Sequence, residues 1–327
     1  MSNRLVLNEG ELRQVVGISE PALAAVEAAF SWLAEGRADM PPIMHIRAGD
    51  RGDVDVKSAY VDGLPYFAIK IASGFHGNPD RGLPVGSAMM VLLNSETGFC
   101  EALLLDNSYL TDLRTGLAGA VAARYLAPEA IATVGVLGTG VQARYQVRSL
   151  RLVRWFERVL VWGRSPAHLA CYVDELQRDG ELEVRAASSA EEVVRECDLL
   201  VTTTASREPL VKAEWLHRGQ HITAVGSDFP GKQELDALVL RAADRLVCDR
   251  LSQCITNGEL QHLAVNSALP EGVDVIELGQ LTTGARPGRQ GAAEITVCDL
   301  TGTGVQDTAI AHLAFTEAQR RRLSTAP

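Results

Sequence analysis

The sequence predicts an α/β protein in which a doubly wound parallel sheet is joined to a second domain of the α+β class. Residues 42–106 contain successive strand segments separated by turn signals such as VDGLP and NSETG, which is typical of an antiparallel sheet. From Ile131 onward, apolar strands alternate with helical segments, and this alternation predicts parallel strands connected by helices. With 327 residues, the chain is long enough for two modest cores.

The first domain is expected to begin with helices and to continue as a sheet. Two helices are predicted within residues 8–36, the second with Ser19 as its cap and Gly36 at its end. Five strand segments follow: PPIMHIRA, VDVKSAYV, YFAIKIASGF, SAMMVLLN and CEALLLD. A helix is expected from Asn107 to Leu126, and Pro128 stops it.

The second domain is expected to start at residue 129 with the strand ATVGVLG. Further strands are RVLVWG, LEVRAA, DLLVTTTA, HITAVGS and EITVCDL, and helices are predicted between them. The residues after Gln306 suffice for one helix, whose apolar side (Ile310, Leu313 and Ala314) requires a surface to cover it. We expect this helix to return to the first sheet. The predicted domains are therefore residues 1–128 with 305–327, and residues 129–304.

Composition argues against several classes of protein. The net charge of −10, without a basic stripe, is not expected of a nucleic-acid-binding protein. No apolar stretch approaches the roughly 20 residues of a membrane span, and the N-terminus has no secretory pattern. The six cysteines stand singly, which predicts reduced thiols and a cytoplasmic location. Neither the cysteines nor the histidines have metal-ligand spacing, so no metal is expected.

The motif GTGVQ occurs first at residues 138–142, directly after an apolar strand. Gly138, Gly140 and Ala143 satisfy the pattern G-x-G-x-x-G/A in a strand-to-helix turn. Such glycines bring backbone N–H groups close to a pyrophosphate, whose charge the helix N-terminus favours. Followed by further strand–helix–strand units, the motif predicts one bound dinucleotide, held by Gly138, Thr139, Gly140, Val141 and Gln142.

The same five letters recur at residues 302–306, but this copy cannot build a second nucleotide fold. After Gln306 the chain has room for one helix and no further strand. Two interpretations of its glycines remain open. They let the end of a strand approach a ligand bound elsewhere, or they form an ordinary strand-to-helix turn.

Two strand ends carry further candidates for cofactor binding. The second strand of the nucleotide domain ends in Gly163-Arg164-Ser165, where an acidic residue would grip the ribose of NAD. Arg164 and Ser165 therefore favour NADP(H) over NAD(H), unless Arg164 merely faces solvent. Thr202, Thr203 and Thr204 end another strand at the same sheet edge and are expected to contact the cofactor, although β-propensity alone explains a run of threonines.

The chain resembles the ornithine cyclodeaminase/μ-crystallin family over nearly its whole length. The segments LTDLRTGLAGAVAARYLA, VGVLGTGVQA, VGSDFPGKQELD and LTGTGVQDTAIA carry the resemblance in the family's order and spacing. Within the family it is most similar to the cyclodeaminase-like proteins of ectoine-utilisation clusters. The resemblance implies a Rossmann domain for NAD(H) or NADP(H), and a mixed sheet domain that binds an amino- or imino-acid substrate and forms a homodimer.

What the resemblance implies chemically is hydride transfer at a C–N bond next to a carboxylate. An imine reductase or amino-acid dehydrogenase, with a place in ectoine or hydroxyectoine catabolism, is the leading expectation. An ornithine-type cyclodeaminase, which converts a diamino acid to a cyclic imino acid and ammonia, is the second. A μ-crystallin-like binding protein with little catalysis is the third.

Basic residues in the first domain are candidates for holding the substrate carboxylate. Lys70 lies in the strand YFAIKIAS, where a buried ammonium is costly unless it meets an anion. Arg114 offers a planar fork for a carboxylate, or alternatively pairs with Asp106 or Asp112. Both match the family's carboxylate ligands, and Lys70 is also expected to act in catalysis. The resemblance implies a third basic group, for which Arg47 is chosen over Lys57.

Asp228 is the candidate proton donor. It follows the strand HITAVGS, near Gly226, at the carboxyl edge where ligands of parallel sheets bind. The resemblance implies a catalytic aspartate at this position, and burial would raise its pKa. The alternative is an N-cap for the next helix. Lys232 either pairs with Asp228 or faces solvent. Gly226 is expected to contact the cofactor.

Overall fold

The computed structural model describes residues 4–75, 77–178, 182–264, 266 and 268–325. They form two compact units, one of Met1–Arg114 with Thr303–Pro327 and the other of Thr115–Gly302. The first division falls within a helix, Tyr109–Leu126, rather than after it. The assignment of separate roles to residues 1–128 with 305–327 and to residues 129–304 stays a prediction.

The structure contains the following elements in the described part of the chain. The helices are α1 (Glu9–Val15), α2 (Glu20–Ala34), α3 (Tyr109–Leu126), α4 (Val141–Leu150), α5 (Pro166–Arg178), α6 (Ala190–Glu196), α7 (Ala237–Ala242), α8 (Leu251–Asn257), α9 (Leu278–Thr282) and α10 (Gly304–Thr325). The strands are β1 (Leu5–Asn8), β2 (Ala38–Asp39), β3 (Met44–Arg47), β4 (Asp53–Val61), β5 (Tyr66–Gly74), β6 (Gly86–Asn94), β7 (Cys100–Leu105), β8 (Thr133–Leu137), β9 (Arg158–Trp162), β10 (Glu183–Ala186), β11 (Leu199–Thr202), β12 (His221–Ala224), β13 (Arg245–Cys248), β14 (Val275–Glu277) and β15 (Thr296–Asp299).

The first unit is built on a mixed sheet. Its strands follow the order β1-β7-β6-β5-β4-β2, and β3 also pairs with β4. The pairs among β3, β4, β5, β6 and β7 are antiparallel, as predicted, whereas β1 runs parallel to β7. The sequence did not reveal β1, because this strand runs directly into α1 without a turn signal between them. Directly after it, Asn8 and Glu11 form a reciprocal capping box that starts α1.

The last helix, α10, packs on this sheet. The Thr308 hydroxyl donates to the carbonyl oxygen of Ala59 in β4 and accepts the N–H of Ala68 in β5. Ala59, Ala68 and the alternate residues Met90 and Leu92 of β6 are fully buried on the same side. The inner face of the sheet is therefore covered by helix.

The opposite face of the sheet carries exposed apolar side chains. Cross-strand register aligns Met44, Val56, Ile71 and Met89 across four strands, and Val6, Leu103 and Val91 across three. Seven large apolar side chains described on this outer sheet face are more than a third exposed: Val6, Met44, Ile46, Tyr60, Met89, Leu103 and Leu105.

The second unit is a doubly wound parallel sheet, as predicted. Its order is β10-β9-β8-β11-β12-β15-β13-β14, and every pair is parallel. The chain winds outward from β8 through β9 to β10, and then crosses to the other side of β8 to form β11. This reversal is the topological switch point at which such sheets bind ligands. The sequence did not predict β14 or the short α9.

No helix among the described residues is both long and apolar enough to cross a lipid bilayer.

Candidate functional site

A cavity of about 540 Å³ opens at the carboxyl edge of the parallel sheet in the second unit. It brings together seven of the eleven residues predicted to bind a cofactor. The residues that line it are Gly138, Thr139, Gly140, Trp162, Gly163, Arg164, Ser165, His168, Thr203, Thr204, Ala205, Ser206 and Leu210. They come from the ends of β8, β9 and β11, which are adjacent in the sheet.

The glycine loop after β8 has the geometry that a pyrophosphate requires. Gly138 adopts a φ of 114°, and a Cβ there would lie 2.6 Å from the hydroxyl oxygen of Thr203, so a side chain is excluded. Gly140 precedes the first turn of α4, and a Cβ on it would meet nothing within 4 Å. The helix N-terminus therefore faces open space, which fits an anionic group.

Arg144, which no pattern in the sequence singled out, holds this loop by hydrogen bonds to its carbonyl oxygens. Its Nη1 donates to the carbonyl oxygens of Thr139 at 2.7 Å and Gly140 at 3.0 Å. Its Nε donates to Glu175 at 2.6 Å, and the guanidinium lies over the Tyr172 ring. The only signal in the sequence is an arginine immediately after the motif, in VQAR.

Arg164 and Ser165 line the cavity at the end of β9, as expected of residues near the adenosine ribose. Ser165 precedes α5: its carbonyl oxygen accepts the N–H of Leu169, and its hydroxyl accepts that of His168. No acidic side chain is found among the described residues that line the cavity.

The other four predicted cofactor residues lie outside the lining. Val141 and Gln142 stand in the first turn of α4, and Val141 is largely exposed. Thr202 is fully buried, and its hydroxyl donates to Glu234 at 2.6 Å. The N–H of Gly226 donates to the same carboxylate at 2.8 Å.

Glu234 is therefore a residue of this region that the sequence analysis did not single out. Besides Thr202 and Gly226, its carboxylate accepts the N–H of Thr204. Burial raises the pKa of Glu234, and its hydrogen bonds oppose that rise. In the sequence it is one acid in QELD, at a distance from the strands it contacts.

Asp228 lies in the loop after β12. Its carboxylate accepts a hydrogen bond from Lys232 Nζ, which decides between the two interpretations of that lysine. About half of the Asp228 side chain is exposed, at 51%, so the expected burial is not found within its unit. The next helix, α7, begins at Ala237 and is capped by Asp236, which excludes Asp228 as its N-cap.

In the first unit, Lys70 and Arg114 converge on a carboxylate of the chain itself. Lys70 Nζ lies 2.9 Å from Asp307 Oδ2, and Arg114 Nε lies 2.9 Å from Asp307 Oδ1. All three side chains are at least 96% buried. The partner of Arg114 is thus Asp307 rather than the alternatives Asp106 or Asp112. Asp307 directly follows the second GTGVQ, but no pattern in the sequence indicated it as a site residue.

Lys70, Arg114 and Asp307 form a buried basic cluster, in which the charge of each group shifts the pKa values of its neighbours. Burial lowers the pKa of Lys70 to about 7, against the attraction of Asp307, and the charges of Arg114 and Lys57 lower it further. Burial opposes ionisation of Asp307, yet Lys70 and Arg114 hold the pKa of this carboxyl below its usual value. Burial also raises the pKa of nearby Asp106 to about 6.

The structure places the two candidates for the third basic group differently. Lys57 is the direct cross-strand neighbour of Lys70 in the pairing of β4 with β5. Arg47 ends β3, is exposed, and pairs in register with Asp53. Lys57, rather than Arg47, therefore adjoins the buried cluster within this unit. A role of either residue in substrate binding stays a prediction.

Within the described ranges, no group of three or more His, Cys, Asp or Glu side chains is arranged to hold a metal ion.

Comparison with known proteins matches the chain to one family. The model of the ornithine cyclodeaminase/mu-crystallin family matches residues 4–321. An uncharacterized cyclodeaminase from Sinorhizobium fredii is 45% identical over 323 residues, with 98% of each chain covered.

Two solved structures share the fold over nearly the whole chain. An archaeal alanine dehydrogenase dimer with bound NAD has a TM-score of 0.90 at 36% identity, covering 98% of this chain and 97% of that one. The Δ1-pyrroline-2-carboxylate reductase of Thermococcus litoralis, in complex with NADH and L-proline, has a TM-score of 0.90 at 28% identity, covering 97% and 98%. The glycine-loop cavity, the mixed sheet and these matches lead to one conclusion: the chain belongs to the ornithine cyclodeaminase/mu-crystallin family.

Proposed function

We propose that this protein is an NAD(P)H-dependent oxidoreductase that acts on a C–N bond next to a carboxylate, as an imine reductase or amino-acid dehydrogenase. The observation that carries the proposal is the cavity at the switch point, whose glycine loop, open helix N-terminus and polar rim fit a dinucleotide. Similar proteins oxidise or reduce such bonds: alanine dehydrogenase and Δ1-pyrroline-2-carboxylate reductase. The place of the reaction in ectoine or hydroxyectoine catabolism is proposed from the sequence resemblance.

The basic cluster of the first unit supports a substrate carboxylate. Lys57, Lys70 and Arg114 are cationic side chains, whereas Asp307 is one carboxylate whose ionised form they stabilise. Lys70 and Arg114 are buried and share this one carboxylate, and little water screens their attraction for a further anion. We assign Lys70 and Arg114 to the carboxylate of the substrate, with Lys57 as the third basic group in place of Arg47.

The chemistry requires one proton in addition to the electron pair. A bound reduced nicotinamide supplies hydride to the carbon of the C=N bond. The nitrogen then gains a proton, and we assign this transfer to Asp228, whose carboxylic acid form would release it. Lys232 Nζ donates a hydrogen bond to Asp228 and thereby fixes the position of its carboxyl group. Lys70 contributes to catalysis by holding the carboxylate in place.

An ornithine-type cyclodeaminase is the second candidate, because the 45% identical relative is described as a cyclodeaminase. A single experiment separates the candidates. The enzyme is given NADPH or NADH with a panel of imino acids, and NADP⁺ or NAD⁺ with ornithine, lysine and alanine, while cofactor absorbance and released ammonia are followed together. A reductase consumes the reduced cofactor without releasing ammonia, and an amino-acid dehydrogenase reduces the oxidised cofactor as ammonia is released. A cyclodeaminase releases ammonia from a diamino acid without net change in the cofactor, and a μ-crystallin-like binding protein does neither.

We further propose that NADP(H) is favoured over NAD(H), because Arg164 and Ser165 line the cavity and no described acidic side chain does so. The two similar structures hold NAD and NADH, so the proposal rests on the residues of this chain alone. NADPH is expected to bind at least tenfold tighter than NADH, a difference of about 1.4 kcal/mol. Arg164→Ala should remove most of this gap in a fluorescence titration, and equal affinities in the unchanged protein would refute it.

We also propose that the protein is a cytoplasmic homodimer. The outer sheet face supports dimerisation, because contiguous exposed apolar surface on a sheet is typical of an interface. A similar structure, the archaeal alanine dehydrogenase, is a dimer. All six cysteines are free thiols, which agrees with a reducing compartment.

A further inference from the structure

We propose that Glu234 is a positioning residue, which fixes the loop of Asp228 against the strand end that holds the nicotinamide half of the cofactor. The inference rests on the proposed function and adds to it a residue without direct contact to the substrate. It concerns the second unit only, where Asp228, Glu234 and the cavity all lie.

The carboxylate of Glu234 connects two neighbouring strand ends. Its Oε2 accepts the Thr202 hydroxyl at 2.6 Å and the Gly226 N–H at 2.8 Å, and its Oε1 accepts the Thr204 N–H. Thr202 and Thr204 belong to the end of β11, whereas Gly226 follows β12. A carboxylate has acceptors only, so it satisfies three donors that no single amide or hydroxyl could satisfy together.

The ends of β11 and β12 approach so closely at Gly226 that no side chain fits between them. A Cβ on Gly226 would lie 2.1 Å from the carbonyl oxygen of Thr204 and 2.6 Å from the Glu234 carboxylate. Glycine is therefore required at position 226. Since Glu234 is fully buried, a donor that lost its acceptor here would have no water to replace it.

The segment that carries Asp228 is held at both ends. It starts beside Gly226, and the Ser227 hydroxyl donates to the carbonyl oxygen of Lys232. At its other end, the N–H of Glu234 donates to Glu259 at 2.8 Å, and that of Leu235 donates to the same carboxylate at 3.1 Å. The position of Asp228 is thus defined relative to Thr204.

The order of the strands indicates which half of the cofactor Thr204 adjoins. Gly138 and Gly140, at the end of β8, fit the phosphates. Arg164 lies beyond β9 on one side, where the adenosine half would lie, and β11 flanks β8 on the other side. We therefore assign Thr203 and Thr204 to the nicotinamide half, and we expect a change at Glu234 to act on this half more than on the adenosine half.

The test compares a whole cofactor with a fragment that lacks nicotinamide. In Glu234→Gln, an NH₂ group replaces one of the two acceptor oxygens. Because each oxygen accepts a backbone N–H, one donor then faces another donor, and one strand end must move. We expect the Kd of NADP⁺ to rise about tenfold, while the Kd of 2′-phospho-ADP-ribose changes less than threefold. Where NADPH reduces an imino acid, kcat should fall at least tenfold with a smaller change in KM.

Two further variants control for a merely structural role. Glu192→Gln alters another carboxylate that accepts N–H, hydroxyl and guanidinium donors, but at the start of α6 and outside the cavity, and should change neither Kd. Glu234→Asp keeps the carboxylate on a shorter side chain. It should also raise the Kd of NADP⁺ more than that of 2′-phospho-ADP-ribose, but by a smaller factor. Thermal melting of each variant identifies any that fails to fold, in which case Glu234→Asp decides.

The outcomes separate this inference from the proposed function. Equal losses for both ligands, or no loss for either, would overturn the role of Glu234. Absence of turnover with every substrate would overturn the proposed function. The Kd values of the whole cofactor and of the fragment would still test the role of Glu234. If NADP⁺ does not bind, NAD⁺ and ADP-ribose replace the two ligands in the same comparison. A wild-type protein that binds neither pair would overturn both.

Discussion

At the scale of single residues, Asp307 changes how the basic cluster must be understood. It is fully buried and holds both Lys70 and Arg114, so these cations are arranged before any substrate arrives. Removing one member of a buried ion pair leaves an uncompensated charge, which costs roughly 3–5 kcal/mol. Asp307 therefore orients the two cations that we propose as ligands of the substrate carboxylate, and it limits the net charge of the cluster.

The low pKa of Lys70, about 7, predicts pH-dependent binding of carboxylates. An anion binds the ammonium form, so affinity is full below pH 7 and falls as the pH rises above it, by up to about tenfold per unit. Calorimetric titration with pyrrole-2-carboxylate from pH 6 to 9 measures this. In Lys70→Arg the guanidinium stays charged, and the inflection should disappear. An affinity independent of pH in the unchanged protein would contradict the assignment.

Asp228→Asn should separate proton transfer from cofactor binding. Asparagine keeps the shape of the side chain but cannot release a proton, so kcat should fall roughly 10²–10⁴-fold. The Kd of NADPH should stay within about threefold, because the phosphates are assigned to Gly138 and Gly140, not to this loop. Lys232→Gln, which leaves Asp228 in place, serves as the control and should have a smaller effect. Near-normal kcat in Asp228→Asn would assign the proton to water.

At the scale of elements, the two copies of GTGVQ show one motif in two uses. Gly140 and Gly304 hold the same position in the motif, and each stands at the start of a helix. A Cβ on Gly140 would enter open space, whereas one on Gly304 would lie 2.4 Å from the carbonyl oxygen of Ser58 in β4. The second copy lies in a strand-to-helix turn between β15 and α10, as one of the two interpretations had it, and Gly304 packs closely against β4. Approach to a ligand stays a prediction.

These two glycines form a matched pair for mutation. Gly304→Ala should lower the free energy of unfolding by about 1–3 kcal/mol, because β4 or α10 must shift to admit the methyl group. Gly140→Ala should change it by less than about 0.5 kcal/mol and instead weaken NADPH binding. Urea unfolding and fluorescence titration of both variants measure the contrast. The reverse pattern would show that the copies have been assigned the wrong roles.

At the scale of the whole molecule, the outer sheet face is the surface that most requires a partner. Val6, Met89, Leu103 and Leu105 are exposed on adjacent strands, while the inner face of the same sheet is covered by α10. Scattered apolar side chains are ordinary on a protein surface, but a continuous set on one sheet face is typical of an interface. A second copy of the chain is the partner that we propose.

Leu103→Lys should therefore weaken the dimer. A lysine in the middle of an apolar interface must be desolvated without a partner, which costs several kcal/mol. Light scattering after gel filtration should give the mass of two chains for the unchanged protein and of one for the variant at micromolar concentration. Leu238→Lys, at an exposed leucine of α7, is the control and should remain dimeric. An unchanged protein that is monomeric would refute the proposal.

The sequence by itself determined the fold class, the parallel sheet that starts with β8, and the glycine loop of the cavity. These follow from local patterns: alternation of strands and helices, and glycines at fixed spacing where a strand meets a helix. Gly138, Gly140, Arg164, Ser165, Thr203 and Thr204 line one cavity because parallel strands end at one edge. The short strands β1 and β14 were missed because each runs directly into a helix, α1 or α9, without a turn signal that would mark a separate element.

Only the tertiary structure decided which charges meet. Lys70 and Asp307 are 237 positions apart, and Thr202 and Glu234 are 32 apart, so no local pattern could link them. The sequence indicated that a buried Lys70 needs an anion, but any of the chain's 41 acidic residues could have supplied it. Asp307 is the partner because β5 and α10 pack face to face and bring its carboxylate within 3 Å of both cations.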